Sequence, residues 1–354
     1  MTVLVTGAFG LVGSATVKQL NADGRQVVAT DLDLPVNRKA AGEFPSGVSA
    51  RYADLTDPAA VDALIAEVAP TAIIHLAAII PPVCYMRPEL AHKVNVGGTA
   101  NLLDAAAKLA HTPRFLLASS IAVYGSRNPF RTSDLLTADT PTNPSDIYGA
   151  HKVEAEKLVR ATALDWVILR LGGVMTVDAA SLMNLDNVYF EALLPIDNRI
   201  STVDVRDVAQ AFAAAVTADV VGETLLIGGD SSHRLRQGDI APAVAAAMGL
   251  VGGLPIGLKG NPDSDTDWFA TDWMDTTRSQ EVLDFQRHSW PDMLIETAAK
   301  TGRLRPLLRL IAPLSRAVLA RRGPYYRATK PYADPWGAVQ AKWGDPRPRE
   351  GERE

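Results

Sequence analysis

The run Thr6-Gly7-Ala8-Phe9-Gly10-Leu11-Val12-Gly13 limits what this chain can fold into more than any other feature. It follows a short apolar stretch, Thr2 to Thr6, that reads as a buried strand, and it opens Leu11 to Ala22, where apolar residues fall at helical spacing. Glycines every third residue at a strand-to-helix joint allow a tight turn and let the helix lie close to the sheet. They also bring backbone N–H groups and the positive end of the helix dipole against a pyrophosphate. A second strand, Gln26 to Thr30, ends at Asp31, 18 residues beyond Gly13. A carboxylate there accepts hydrogen bonds from adenosine ribose hydroxyls and repels a 2′-phosphate, so the pattern predicts NAD in preference to NADP. The nearby Arg38 and Lys39 work against that preference.

The alternation continues along the chain. Strands are expected at Ala50 to Tyr52, Ala72 to Leu76, Arg114 to Ala118, Trp166 to Leu169 and Thr224 to Ile227, with helices at Ala59 to Val68, Gly98 to Leu109 and Ile147 to Ala163. Short Val/Ile/Leu-rich strands alternating with helices imply a Rossmann-type, doubly wound α/β fold with a parallel sheet covered on both faces. The expected division is a cofactor domain from 1–172 plus 201–228, a small substrate domain from 173–200 plus 229–302, and a basic extension at 303–354.

Composition sets the remaining bounds. With 47% apolar and 21% charged residues in 354, the chain is a folded protein able to build its own core. Cys84 is the only cysteine, so neither an intramolecular disulfide nor a Cys-rich zinc site can form, and no metal is expected. The start of the sequence shows no secretory signal, and no run of about 18 apolar residues occurs; a cytoplasmic protein is the expectation. A net charge of −5 argues against nucleic acid as a partner.

The motif series resembles the extended short-chain dehydrogenase/reductase family, also called the NAD-dependent epimerase/dehydratase family. After the glycines come Asp54-Leu55, His75-Leu76-Ala77-Ala78, Asn95-Val96-Gly97-Gly98-Thr99, Ser119-Ser120 with Val123-Tyr124-Gly125, Tyr148-Gly149-Ala150-His151-Lys152, and Val205-Arg206-Asp207-Val208-Ala209. The resemblance reaches from residue 2 to about residue 300. It implies that Gly7, Phe9, Gly10, Leu11, Val12, Gly13 and Asp31 hold NAD. It also implies that Asp54 and Leu55 lie beside the adenine, that Leu76, Ala77 and Ala78 line the cofactor, and that Asn95, Tyr148 and Lys152 belong to the same site.

Catalysis has an independent physical reading. Tyr148 and Lys152 are spaced i, i+4 on an expected helix and so share a face. An ammonium near a phenol favours the phenolate, which makes the pair a general acid/base. The resemblance adds Ser120, four residues before Tyr124, as a hydroxyl for the substrate oxygen whose charge changes during hydride transfer. These three residues predict an NAD-dependent oxidoreductase acting on a secondary alcohol or its ketone. A sugar epimerase with tightly held NAD is the alternative, and a non-catalytic NAD-binding scaffold or sensor the second. Dehydratases of the family carry Thr followed by Asp-Glu, whereas this chain has Ser120-Ile121-Ala122, which disfavours dehydration. Between Arg170 and Arg206 the only Lys or Arg is Arg199, which weakens the case for a nucleotide sugar. Cys84 and Tyr124 are candidate substrate contacts, with packing as the competing reading. Trp268, Phe269, Trp273 and Trp290 are expected in the core of the small domain.

The extension is a different electrostatic object. Residues 303–354 carry 12 Lys+Arg against 5 Asp+Glu, a net +7, leaving −12 on the rest of the chain. Apolar positions Leu307, Leu308, Leu310, Ile311, Leu314, Val318 and Leu319 fall at helical spacing among arginines, with Pro313 expected to kink or split the helix. Charge attraction favours docking on the acidic body or between subunits over a membrane surface, with Tyr325, Tyr326, Tyr332, Trp336 and Trp343 as anchors. The resemblance further implies a homodimer pairing the helices near Gly98 to Leu109 and Ile147 to Ala163.

Overall fold

The computed structural model describes residues 1–178, 185–326 and 330–348. Parts of the expected substrate domain (179–184) and of the extension (327–329 and 349–354) lie outside the described residues. The first half runs β1 (Thr2–Thr6), α1 (Leu11–Ala22), β2 (Gln26–Asp31), α2 (Pro35–Ala41), β3 (Val48–Tyr52), α3 (Pro58–Val68), β4 (Ala72–His75), α4 (Val83–Met86) and α5 (Pro88–His92). A π-helical turn (Lys93–Gly97) then leads into α6 (Gly98–Ala107), β5 (Arg114–Ser120), α7 (Ile147–Arg160) and β6 (Trp166–Leu171). The second half holds β7 (Gly173–Met175), α8 (Leu185–Leu193), β8 (Arg199–Asp204), α9 (Val205–Ala215), β9 (Thr224–Ile227) and β10 (Arg234–Arg236). It closes with α10 (Gln237–Ala247), α11 (Thr277–Leu283), α12 (Trp290–Thr301), α13 (Arg305–Arg322) and α14 (Pro335–Trp343).

Among the described residues a seven-stranded sheet has the order β3-β2-β1-β4-β5-β6-β9, with every neighbouring pair parallel. Successive strand side chains point to opposite faces, and both faces are covered. Val3, Val5, Ile74, Leu116 and Leu169 pack with Val208 and Phe212 of α9 on one side. Leu4, Ile73, Phe115, Leu117 and Ile168 pack with Val61 of α3 and Leu102 of α6 on the other. The strand order reverses between β1 and β4, and ligands of open α/β sheets bind in the crevice at the carboxyl ends of strands flanking such a switch. A second sheet of three strands, β10-β8-β7, stands beside this crevice.

The extension divides in two. The described residues from Tyr325 onward fold back onto the body: the Tyr325 hydroxyl donates to Leu193 O (2.6 Å), Trp336 Nε1 to Trp268 O (3.1 Å), and Ile147 N to Pro346 O (2.8 Å). Trp343 meets Tyr189 edge to face at 5.6 Å and is buried with Cys84, Tyr85 and Val339. Tyr326 and Tyr332 stay exposed. Helix α13 behaves otherwise. It is not split at Pro313 but continues as one helix through it; that residue is exposed, where water can satisfy the carbonyl left without a partner one turn earlier.

Candidate active site

The glycine turn is built so that backbone itself forms its floor. Gly7 adopts φ 64°, and a Cβ on it would stand 2.6 Å from Ala77 N. A Cβ on Gly13 would stand 2.1 Å from Gly7 O. Neither position admits a side chain, so β1, α1 and the end of β4 meet around a cradle of backbone bare of side chains at the N-terminus of α1, the geometry that receives a dinucleotide pyrophosphate. Gly10 is the N-cap, with Leu11 exposed and Val12 half-buried at the helix opening. Phe9 stacks on Phe44 at 5.6 Å and on Tyr52 at 6.2 Å.

Asp31 ends β2, where burial raises its pKa and Leu32 N donates to it (2.8 Å). Arg38, a candidate partner for a 2′-phosphate, is instead paired with Asp33 through Nε and Nη2 (2.6 and 2.7 Å). Asp54 is exposed and ties a local turn through Thr56 N (2.9 Å), with Leu55 buried beside it. Leu76, Ala77 and Ala78 are half-buried at the β4 end that faces Gly7. Asn95, buried in the π-helical turn, clasps Ile79 by accepting from its N–H (2.7 Å) and donating to its carbonyl (3.0 Å), which fixes the chain just after Ala78. His75 is buried between Thr6 (2.7 Å) and Thr99 (3.0 Å), and burial lowers its pKa to about 3, so it is a neutral structural residue.

Ser120 closes β5, its hydroxyl accepting from Ala122 N (3.2 Å). The Ser120 hydroxyl is also a hydrogen-bond partner of the Tyr148 phenol, in the first turn of α7. One turn on, Lys152 donates from Nζ to Ala118 O (2.7 Å) and stands 5.7 Å from the centre of the Tyr148 ring. The structure therefore brings Ser120, Tyr148 and Lys152 together. Their electrostatics differ from the expectation that the ammonium draws the phenol down. Burial, then the neighbouring Cys84, pushes Tyr148 well above its ordinary value, and Ser120 only partly offsets this. Burial lowers Lys152 to about 8, against a smaller upward pull from Glu156. Burial sets the direction of the shift at both groups.

Two groups around this set were not singled out from the sequence. Asp146 caps α7 by accepting from Gly149 N (2.9 Å) and also accepts from the Tyr85 hydroxyl (2.6 Å); burial raises its pKa to about 6. An Asp just before a helical run is a readable cap signal. Glu156, one turn beyond Lys152, accepts two hydrogen bonds from Arg170 (2.9 and 2.7 Å) and one from Ser119 (2.5 Å). Arg170 also donates to Tyr124 Oη (2.7 Å), which in turn donates to Thr137 O (2.7 Å). Tyr124 is thus buried with its hydroxyl engaged, and Cys84 is fully buried with burial raising its thiol pKa. Both side chains pack under the site, which favours the packing reading over a substrate contact.

One wall of the site comes from the extension. Trp343 and Val339 of α14 share an apolar cluster with Tyr148, Phe190 and Phe269. Trp268 and Trp290 are buried, and Trp273 is half-buried beneath the Arg199 guanidinium. Among the described residues no His, Cys, Asp and Glu side chains are grouped as a metal site would require.

Fold and glycine cradle together are those of an NAD-binding α/β protein. Residues 3–228 match the NAD dependent epimerase/dehydratase family, and the chain belongs to that family. It is 33% identical to D-erythronate dehydrogenase of Cupriavidus necator over 181 residues, 48% of this chain and 54% of that one. It is also 33% identical to dTDP-glucose 4,6-dehydratase of Neisseria meningitidis over 264 residues, 64% of this chain and 70% of that one. The match thus spans about half the length of the first relative. Among solved structures, UDP-glucose 4-epimerase of Thermus thermophilus in complex with NAD superposes with a TM-score of 0.68 at 24% identity, covering 86% of this chain and all of that one.

Proposed function

We propose that the protein moves a hydride between NAD and a secondary alcohol or its ketone, with Ser120, Tyr148 and Lys152 as catalytic residues. The observation that carries this is the convergence of the three side chains at the end of β5, beside the crevice that the glycine cradle opens. Held by the Gly7–Gly13 turn and Asp31, NAD would supply the hydride chemistry. Tyr148 gives its phenolic proton to the carbonyl oxygen on reduction and takes it back on oxidation. Ser120 holds the same oxygen, and Lys152, braced on Ala118 O, compensates charge on the phenol.

The substrate in this reading lacks a nucleoside diphosphate. Arg170 is spent on Glu156, Arg199 on Asp272 (2.9 Å), and Arg206 on Asp204 and Glu296 (2.7 and 2.8 Å), which leaves none of the three for a pyrophosphate. Ile121 and Ala122 are buried apolar residues where a dehydratase would need acids. Epimerisation is the second reading, favoured by the fold shared with UDP-glucose 4-epimerases. The homodimer through α6 and α7 belongs to the proposal as well, and light scattering that gives a monomer mass would remove it.

Incubation of the protein and NAD with a panel of secondary alcohols tests the reading by NADH absorbance. Steady NADH formation supports it, stereochemical change without net NADH replaces it with epimerisation, and NAD binding with no conversion of any panel member favours the scaffold.

A further inference from the structure

Helix α13 carries two apolar faces, and the fold uses one. Ala312 is buried, and Leu308 and Leu319 are half-buried; Gly253 lies against Ala312, and Gly249 against the backbone of Arg305. The other face is open. Leu304, Leu307, Ile311, Leu314 and Val318, spaced alternately three and four residues apart, are 61%, 58%, 43%, 66% and 38% exposed, and Leu310 beside them is 78% exposed. Such a stripe runs straight along one side of a helix about 27 Å long. Val251, in the loop between Gly249 and Gly253, is exposed as well. A monomeric soluble protein rarely leaves a contiguous stripe of this kind uncovered.

The charges say what covers it. From Arg303 to Arg322 there are six arginines, at 303, 305, 309, 316, 321 and 322, and no acidic residue. Arg303 closes one end of the stripe, and Arg321 and Arg322 close the other. A second copy of the helix is a poor occupant, because antiparallel pairing through the stripe sets Arg303 against Arg321 and Arg322 with no carboxylate between them. The acidic body is not the occupant either, since the stripe faces away from it; the sequence expectation of docking holds only for the opposite, narrower face. Apolar side chains with cations at both ends of their stripe fit a headgroup boundary, with leucines in the acyl region and the Arg303, Arg321 and Arg322 guanidinium groups on anionic phosphates.

We infer that α13 lies on the surface of an anionic membrane and makes this a peripheral enzyme. No helix among the described residues is long and apolar enough to cross a bilayer, so attachment is interfacial. Helix α14, which walls the active site, follows α13 along the chain, so the surface that binds lipid is covalently close to the surface that lines the site.

Flotation of the full-length protein with vesicles of phosphatidylcholine alone, and of phosphatidylcholine mixed with phosphatidylglycerol, is the test. The expected result is binding to the mixed vesicles, weakened by salt, with little binding to phosphatidylcholine alone. The double variant Leu307→Glu/Leu314→Glu removes apolar contact from exposed positions and should lower vesicle binding by at least about tenfold while leaving thermal unfolding and NAD binding unchanged. Equal binding by wild type and variant, or no binding by wild type, overturns the inference. So does a fall in solution mass on substitution, which would make a second copy the occupant of the stripe.

Discussion

The glycine cradle and helix α13 are both short segments whose purpose is to meet something outside the chain, yet they are built by opposite means. At the cradle the walls are backbone, held so close that Gly7 and Gly13 leave no room for a Cβ, and the specificity proposed for it rests on one half-buried carboxylate, Asp31. On α13 side chains do everything, with a stripe of exposed apolar residues and arginines at its ends. The first design is rigid and selects one ligand by shape. The second is tolerant, because area and charge suffice for a fluid surface. Substitutions should therefore act sharply in the cofactor half and at the wall it shares with α14, and barely register in the stability of α13.

The largest loss is expected from Lys152→Ala, which should reduce turnover by about 10²- to 10⁴-fold and weaken NAD binding. Steady-state kinetics together with calorimetry would check both. Next, Trp343→Ala should lower unfolding free energy by about 3 kcal/mol in denaturant titrations, because the indole packs against Tyr189 and Phe190. Leu310→Ala, on the open face of α13, should stay within about 0.5 kcal/mol of wild type. Similar losses for the two would erase the distinction between the anchored and open parts of the extension.

Smaller effects follow from charge. Burial raises Asp146 to about 6 from an ordinary 3.8, so its contribution to stability is present at acid pH and is lost as pH rises from about 4 through 6. Asp146→Asn keeps a cap and removes that slope; its unfolding free energy, relative to wild type, should gain about 3 kcal/mol or less between pH 4 and 7. Asp31→Ala should narrow the preference for NAD over NADP by about tenfold in calorimetric titrations. An unchanged preference would move the source of discrimination elsewhere.

What could be read from the sequence was local. Strand and helix periods, the glycine spacing and the i, i+4 pair of Tyr148 and Lys152 are all fixed within a few residues of chain, whereas Ser120 came from the family resemblance. The three-residue strands β7 and β10 are too short to show an alternating pattern. The contacts of Asp146 with Tyr85 and of Glu156 with Arg170 join segments 61 and 14 residues apart, and only the fold brings them together. The balance at Tyr148 was misjudged for a related reason: proximity to Lys152 is visible in spacing, whereas the degree of burial is not. For the extension, periodicity showed an amphipathic helix but could not say which apolar residues meet the body.

The central claim, that one phenol on a preformed NAD site does the proton work, is tested most directly by Tyr148→Phe. NAD affinity and turnover should be measured on the same preparation, with a substrate found by the NADH screen. Removing only the hydroxyl should leave NAD affinity within about twofold and cut turnover by about 10³-fold. Near-normal turnover would contradict the assignment, as would a loss of NAD affinity as large as the loss of turnover.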